Sequence, residues 1–566
     1  MSNKLTRVWK FFRAHGFKET VSTTLRYFVI HRRFLLPRDR KYEIYFDTVR
    51  PGEEILEEQR KTDFKYKPLL SILVPLYETD FIFLDELIKS IQAQTYSNWQ
   101  ICFSDGSRDK SRLRDKVAWY QKDDDRIFYI GEGEDTLGIS SNTNQAYTLA
   151  TGDYIVLGDH DDLFMPDAFY EVVKAINEDH SIDVIYTDED KTDEGGIRHF
   201  EPSMKPAFNP DLLQSCNYIT HMFVAKKSLV EKAGLFDDIY NGAQDYDFIL
   251  RCTELAEKIH HIPKILYSWR VNATSTAGNV EAKLYAYDAG VKAVQAHYDR
   301  IGIKATVSQD ERLYGHYITT YPLPEGESLT VLVITDGFDD NLKKCIESFN
   351  SVSDFKEMSF IPVNPGNRGD TPMGEILDAQ INRLSSEYFM IVNCDVRLYS
   401  PHGVRDMISL LSARPDVGIA ATQFAMPFYR TRHAAIIYGH DKIYGHEYLM
   451  HEDYDEEYNQ YIDCMALREG CVMSRKKAYK AAGGFSKEMR TMGPIIEDYC
   501  MKLREAGLKS VYAGRSICKF RGKAILPDNY KEMEKKDKKV LADRWKAYIP
   551  DGDVYYSERL KKENDE

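Results

Sequence analysis

The sequence predicts an α/β fold: a mainly parallel sheet with helices on both faces, present as two tandem copies behind a helical amino-terminal segment. Three observations carry this expectation. From Lys67 to Leu157, short apolar runs alternate with stretches of helical period, the rhythm of a parallel sheet wrapped by helices. The runs stop at polar or acidic clusters, and an open α/β sheet binds its ligands outside the carboxyl ends of its strands. From Ser328 onward the same rhythm starts again.

Each element has a local justification. Leu69–Pro75 is a short apolar run of buried-strand type. Phe83–Ala93 has helical periodicity, with Leu84, Leu87, Ile88 and Ile91 on one face. Trp99–Phe103 is a second strand, ending at Ser104-Asp105-Gly106-Ser107, and Ile127–Ile130 is a third. Ser140–Ala150 reads as a helix entered from Gly138, and Asp153–Leu157 as a fourth strand that halts at Gly158. Behind it stand Asp159, Asp161 and Asp162, three carboxylates within four residues. Carboxylates so crowded repel one another unless a cation or a set of donors compensates. An acidic turn capping the helix that begins around Met165-Pro166-Asp167 accounts for the same residues. Taken alone, the cluster leaves both readings open.

At 566 residues the chain has room for two or three domains, and 43% hydrophobic content is ample for their cores. The nine cysteines are scattered, with no Cys-x-x-Cys, which argues for reduced thiols in the cytoplasm and against a disulfide frame or a zinc site. No apolar run approaches the length of a membrane span, and the amino terminus lacks the apolar core of a secretory signal. Residues 1–41 carry eleven Lys or Arg against Glu19 and Asp39, a balance of +9; the whole chain is −14, so the remainder is −23. Leu5, Val8, Trp9 and Phe12, then Val21, Leu25, Phe28 and Val29, fall at helical spacing among these charges. Such a segment either lies peripherally on the cytoplasmic face of an anionic membrane or packs on the following domain. The acidic body would repel a nucleic-acid backbone, so no nucleic-acid partner is expected.

Eight short patterns in the first half belong together. Ser71-Ile-Leu-Val-Pro-Leu-Tyr-Glu78, Gln94-Thr-Tyr-Ser-Asn-Trp-Gln100 and Ser104-Asp-Gly-Ser-Arg-Asp109 come first, then Gly138-Ile-Ser-Ser-Asn142 with Thr151-Gly-Asp-Tyr154 and Asp159-His-Asp-Asp162. Gly242-Ala-Gln-Asp-Tyr-Asp-Phe-Ile-Leu-Arg251 and Leu266-Tyr-Ser-Trp-Arg270 close the series. In order and spacing this resembles family 2 glycosyltransferases of the GT-A fold over residues 68–300.

The resemblance implies a set of roles. Pro75, Tyr77, Glu78 and Asp105, with Gly138, Asn142 and Asp159, would hold a nucleoside-diphosphate sugar, with UDP or dTDP the leading nucleotides. Asp159 and Asp161 resemble the Asp-x-Asp motif that holds Mn²⁺ or Mg²⁺ against the diphosphate. Asp245 falls at the position of the catalytic base in inverting transfer to a hydroxyl of a glycan or lipid-linked glycan. Its place at a helix start suits an ionised carboxylate, although Asp245 or Asp247 as a plain amino-terminal helix carboxylate is the competing reading. Trp269 and Arg270 either line the diphosphate or belong to the core. His160 reads as a loop residue, and Asp188-Glu189-Asp190 as an acidic turn. Ser104 and Glu78 depart from the family, where Asp and Asn are common, so the contacts to the nucleotide base stay open. The Gln-x-x-Arg-Trp motif of processive synthases is absent.

The second half resembles a degraded copy. Ser328–Thr335 repeats the opening strand and Leu342–Phe349 the following helix, and Tyr388–Val392 runs into Asn393-Cys-Asp395 in place of Asp-x-Asp. Ile496-Glu-Asp-Tyr-Cys-Met-Lys-Leu-Arg504 parallels Ala243–Arg251, making Glu497 and Asp498 the counterparts of Gln244 and Asp245. The expected domains are therefore a basic amphipathic helical segment, 1–67; a catalytic GT-A domain, 68–300; a linker, 301–327; a second GT-A-like domain with a degenerate metal motif, 328–525; and a charged carboxyl-terminal helix or tail, 526–566. The expected function is a cytoplasmic, metal-dependent, inverting transferase that extends a surface or cell-wall glycan. A bifunctional enzyme with both halves active and a non-catalytic glycan-binding scaffold are the alternatives. A nucleotidyltransferase would need a Gly-rich basic loop after the first strand, which Leu76–Phe83 lacks.

Overall fold

The structure is a computed structural model that describes residues 38–131, 135–271, 284–311, 313–337, 340–364, 370–425, 431–432, 435–438, 443–445, 460–521, 529–546 and 553–555. The basic periodic stretch from Leu5 to Val29 and the last ten residues lie outside them. Nine strands form the first sheet: β1 (Leu70–Leu76), β2 (Trp99–Asp105), β3 (Ile127–Ile130), β4 (Tyr154–Leu157), β5 (Leu163–Phe164), β6 (Val184–Thr192), β7 (His199–Ser203), β8 (Phe223–Lys226) and β9 (Ile259–Arg270). Their spatial order is β3-β2-β1-β4-β8-β6-β9-β5, with β7 paired to β6. The expected parallel sheet holds for the first four strands. Beyond them β8 runs antiparallel to both its neighbours, while β6 and β9 run parallel. The sheet is therefore mixed.

The central strands are apolar because they are covered on both faces: every residue of β1 and β2 is buried. Pro75, which cannot donate to a ladder, is tolerated in β1 for a geometric reason. Leu73 accepts a bond from Gly158 on the β4 side; alternation points residue 75 to that same side, past the end of β4, whose register with β1 stops at Leu73. The helix Phe81–Gln92 is capped by Asp80, which accepts from the Ile82 amide, and it buries Leu84, Leu87, Ile88 and Ile91. Each such side chain contributes about 1.5–3 kcal/mol relative to exposure. Gly152 is required by close approach, since a Cβ there would lie 2.4 Å from the Leu69 carbonyl oxygen.

The second sheet repeats this plan. Its strands run Met358–Val363, Leu329–Ile334, Tyr388–Asn393, Cys471–Arg475, Val417–Ala425, Lys509–Phe520 and Val396–Leu398 in spatial order. Position by position these match β2-β1-β4-β8-β6-β9-β5, and each neighbouring pair keeps the same parallel or antiparallel sense. Among the described residues no counterpart of β3 is present.

The stretch 301–327, expected as a linker, is a packed element. Thr306–Gln309 and Tyr317–Thr320 form an antiparallel ribbon, and Val307, Tyr317 and Tyr321 are buried. The apolar faces of both sheets join through it into one cluster that includes Leu73, Tyr246, Tyr317, Tyr321, Val331 and Met473. A polar seam runs alongside. The side chain of Asn209 bonds to both backbone groups of Asp463, and Arg414 pairs with Asp211 at 2.7 Å, both fully enclosed. The helix Arg38–Val49 lies on β6 and β7, where Tyr42 donates to Asp190 and Phe46 stacks on His199. Among the described residues no helix is long and apolar enough to cross a membrane.

Candidate active site

The adjoining carboxyl ends of β1, β2 and β4 lie close to the start of the helix Gln244–Leu255, which outlines a crevice where an α/β sheet places its ligands. At the end of β1, Tyr77 and Glu78 are exposed. Glu78 takes φ +47°, a left-handed conformation that costs a non-glycine residue. Two bonds hold it there: its amide donates to Ser107 Oγ at 2.8 Å, and its Oε1 accepts from the Arg108 amide at 3.2 Å. The first two polar clusters thus form a single wall.

Asp105 is the last residue of β2. It is 0% exposed, with Oδ1 accepting from the Ser107 amide and Oδ2 from the Tyr129 hydroxyl. It shapes the wall instead of lining it. Asn142 is also inward: its amide donates to the Leu76 carbonyl and its Oδ1 accepts from Ser104. Gly138 begins the helix Ile139–Tyr147 and lies against Asn241, which a Cβ would approach to 3.1 Å. Pro75 is buried in β1.

The acidic cluster resolves into two kinds of carboxylate. Asp162 is 1% exposed; Tyr267 donates to its Oδ2 and the Arg270 amide to its Oδ1, both at 2.8 Å. Arg270 bridges Asp161 O, Glu194 O and the Glu86 carboxylate, so it braces the loop from behind. Burial and the charges of Asp159 and Asp161 push the Asp162 carboxyl well above the usual range. Asp159 and Asp161 remain partly exposed. Neither caps a helix: β5 follows the loop, and the helix Ala168–Glu178 begins later. Burial works against ionisation of Asp159, but the adjacent His221 and a bond from Trp269 outweigh it, and its carboxyl lies below the ordinary value.

His221 is the site residue that sequence reasoning missed. Its Nε2 is 3.4 Å from Asp159 Oδ2, and its ring stacks on Tyr267. Burial would lower its pKa, yet Asp159, then Glu189, raise it to about 9. Its backbone is pinned by Glu189, which accepts from the His221 amide, and by Lys205, which donates to the His221 carbonyl. The only signal was a histidine just ahead of the apolar run Met222–Ala225, too common a pattern to single out. Asp188, Glu189 and Asp190, read from the sequence as an acidic turn, instead lie within strand β6 and are buried. His261, Lys205 and Tyr42 satisfy them one by one, which is why three carboxylates fit inside a sheet.

Asp245 stands in the first turn of the helix Gln244–Leu255. Asn217 donates to its Oδ2 at 3.1 Å. Burial raises its pKa, with His221 opposing and Asp159 adding to the rise, so Asp245, Asp159 and His221 share one electrostatic environment. Asp247 has another task, pairing with Arg251 and Arg300.

The second half lacks this arrangement. Asp395 is buried, with Oδ1 finding no hydrogen-bond partner among the described residues, and burial raises its pKa. The helix Met492–Glu505 begins six residues before Asp498, whereas Asp245 is the second residue of its helix. Asp498 is 0% exposed and receives Ser486, Arg544, Trp545 and Lys502. Burial opposes its ionisation, but Ser486 and Lys502 more than compensate and hold its pKa low. Arg544 and Trp545 come from the carboxyl-terminal helix Tyr530–Trp545, which closes over the carboxylate. Glu497 is buried beside it.

A divalent ion is implied by the motif, and the donor set fits one. Asp159 and Asp161 are two hard oxygen donors at a crevice mouth. Mg²⁺-type sites are completed by water and substrate phosphate oxygens, not by a full protein cage. Among the described residues no group of three or more His, Cys, Asp or Glu side chains is poised to hold a metal.

Fold and site together define a class: an α/β domain whose strand ends gather carboxylates. Residues 71–234 match the glycosyl transferase family 2 model, and this segment is a family 2 glycosyltransferase domain. The chain is 31% identical over 478 residues to the uncharacterized protein y4gI of Sinorhizobium fredii, covering 79% of this chain and 52% of that protein. It is 24% identical over 537 residues to the O-antigen biosynthesis protein RfbC of Myxococcus xanthus, covering 87% of this chain and 40% of the relative. The chain thus spans about half the length, or less, of these two relatives. A solved structure of S. aureus TarS 1-349 with UDP-GlcNAc is similar at 17% identity over 40% of this chain and 66% of that one, with a TM-score of 0.33.

Proposed function

We propose that the first half is an inverting, metal-dependent glycosyltransferase that moves a sugar from a nucleoside diphosphate to a hydroxyl of a surface glycan. The observation that carries this is the convergence of Asp159, His221 and Asp245 on one crevice, beside the wall formed by Tyr77, Glu78 and Ser107. The name of the O-antigen biosynthesis relative supports a surface polysaccharide as the product, and UDP- or dTDP-sugars are the leading donors.

Asp245 takes the proton of the acceptor hydroxyl as that oxygen attacks the anomeric carbon. A base works best with a pKa close to the operating pH, and burial moves Asp245 in that direction. Asn217 fixes the carboxylate by holding Oδ2. Glu78 and Tyr77 offer a carboxylate and a ring face to the nucleoside. Asp159 and Asp161 would hold Mn²⁺ or Mg²⁺, which when bound neutralises charge on the leaving diphosphate. The His221 imidazolium offsets repulsion between Asp159 and Asp245.

The chemistry is assigned to the first half because Asp498 is enclosed by Arg544 and Trp545. A donor screen for nucleoside diphosphate release, with Mn²⁺ and with EDTA, tests the assignment. Release with Mn²⁺ that EDTA abolishes is expected. Asp245→Asn should cost at least about 100-fold, and Asp498→Asn should leave turnover per folded molecule intact. Activity that survives Asp245→Asn but not Asp498→Asn would reverse the roles of the two halves.

A further inference from the structure

Two exposed tyrosine rings flank the loop that carries Asp245, and nothing in the transfer chemistry described so far uses them. Tyr285 lies on the backbone of Gly242, three residues before Asp245: a Cβ at Gly242 would come within 2.5 Å of the Tyr285 ring and 2.9 Å of Ala286. Gly242 has φ +96°, so the position demands glycine both by conformation and by this close approach. Although one side of the ring is covered, Tyr285 is still 57% exposed. Two residues along the chain, Tyr287 stacks nearly parallel on Tyr314, with centroids 5.1 Å apart and planes at 18°. Tyr314, at the tip of the ribbon, is 53% exposed. Behind this pair Tyr317 stacks on Tyr246, the neighbour of Asp245, and both Asp245 and Tyr287 act on its hydroxyl.

Tyrosine is enriched at interaction surfaces, where its ring packs on a partner while its hydroxyl stays wet. A pyranose ring matches such surfaces: its axial C–H face packs on an aromatic face. The site needs such an occupant, because the attacking hydroxyl must be delivered to Asp245 from the side away from the donor. We propose that Tyr285 and the Tyr287–Tyr314 stack form the acceptor subsite, a platform for at least two sugar units of a glycan. This rests on the transferase reading above.

The test uses the full chain on an array of bacterial surface-polysaccharide fragments, read in the presence of UDP and Mn²⁺. The wild-type chain, Tyr285→Phe and Tyr314→Phe should bind the same fragments. Tyr285→Ala and Tyr314→Ala should bind them roughly tenfold more weakly, with unchanged melting temperature and unchanged UDP affinity by calorimetry. Alanine variants that bind like the wild type overturn the platform. So does a wild-type chain that binds no fragment yet releases nucleoside diphosphate from a donor, an outcome that leaves the transferase reading standing. No release from any donor in the screen above would sink the transferase reading and the acceptor subsite with it.

Discussion

Asp167 is buried, its Oδ1 has no hydrogen-bond partner among the described residues, and burial pushes its pKa up to about 6. The native state therefore holds this proton more tightly than the unfolded chain, whose value stays near 3.8. Stability from this group is fully present below about pH 4 and is lost as pH rises through about 6. Asp167→Asn should remove that loss, raising stability at neutral pH by on the order of 2–3 kcal/mol, measured by urea melts at pH 5 and pH 8. A mutant advantage at pH 8 no larger than at pH 5 would refute it. Asp245 gives the catalytic counterpart. Its raised pKa places the acid limb of the kcat/KM profile above the ordinary carboxylate range. Asn217→Ala removes a bond that favours the ionised form, so the limb should move to still higher pH. A limb that stays put would deny Asn217 its positioning role.

The helix Tyr530–Trp545 illustrates what an element's surroundings decide. Besides Asp498 it brings Asp537, whose Oδ2 accepts from the Arg490 and Thr491 amides and the Thr491 hydroxyl, and it buries Leu541 and Trp545. Arg544→Ala should destabilise the chain by about 3 kcal/mol because Asp498 loses one of its buried partners, as a lowered denaturation midpoint with donor turnover unchanged. The sequence made the regular parts legible: Ile127–Ile130 is a strand as expected, and Leu84, Leu87, Ile88 and Ile91 face the core as their spacing implied. Strand ends and acidic clusters are local signals and were legible too. Partnerships across long separations were not legible. Nothing near Asp105 announces Tyr129, nothing near Asp498 announces Arg544, and His221 meets Asp159 only once β8 pairs with β4. Charge misled at Asp188–Asp190, whose compensation comes from four different elements of chain.

At the scale of the molecule, two copies of one strand order share an interior. Arg414 and Asp211 meet within it, and Asp463 beside them has its pKa pushed up to about 7 by burial and by Asp211. Arg414→Ala strands Asp211 without its cation and should cost about 3–5 kcal/mol. Because the halves share a core, calorimetry should show one transition moved down, and two separated transitions would contradict that coupling. The ribbon at 301–327 gives the fused interior a hereditary side. Tyr321 meets Tyr461, and Asn209 meets Asp463, across the junction between repeats. Exchanging one repeat for that of a diverged relative would break these pairings unless the matching residues came with it.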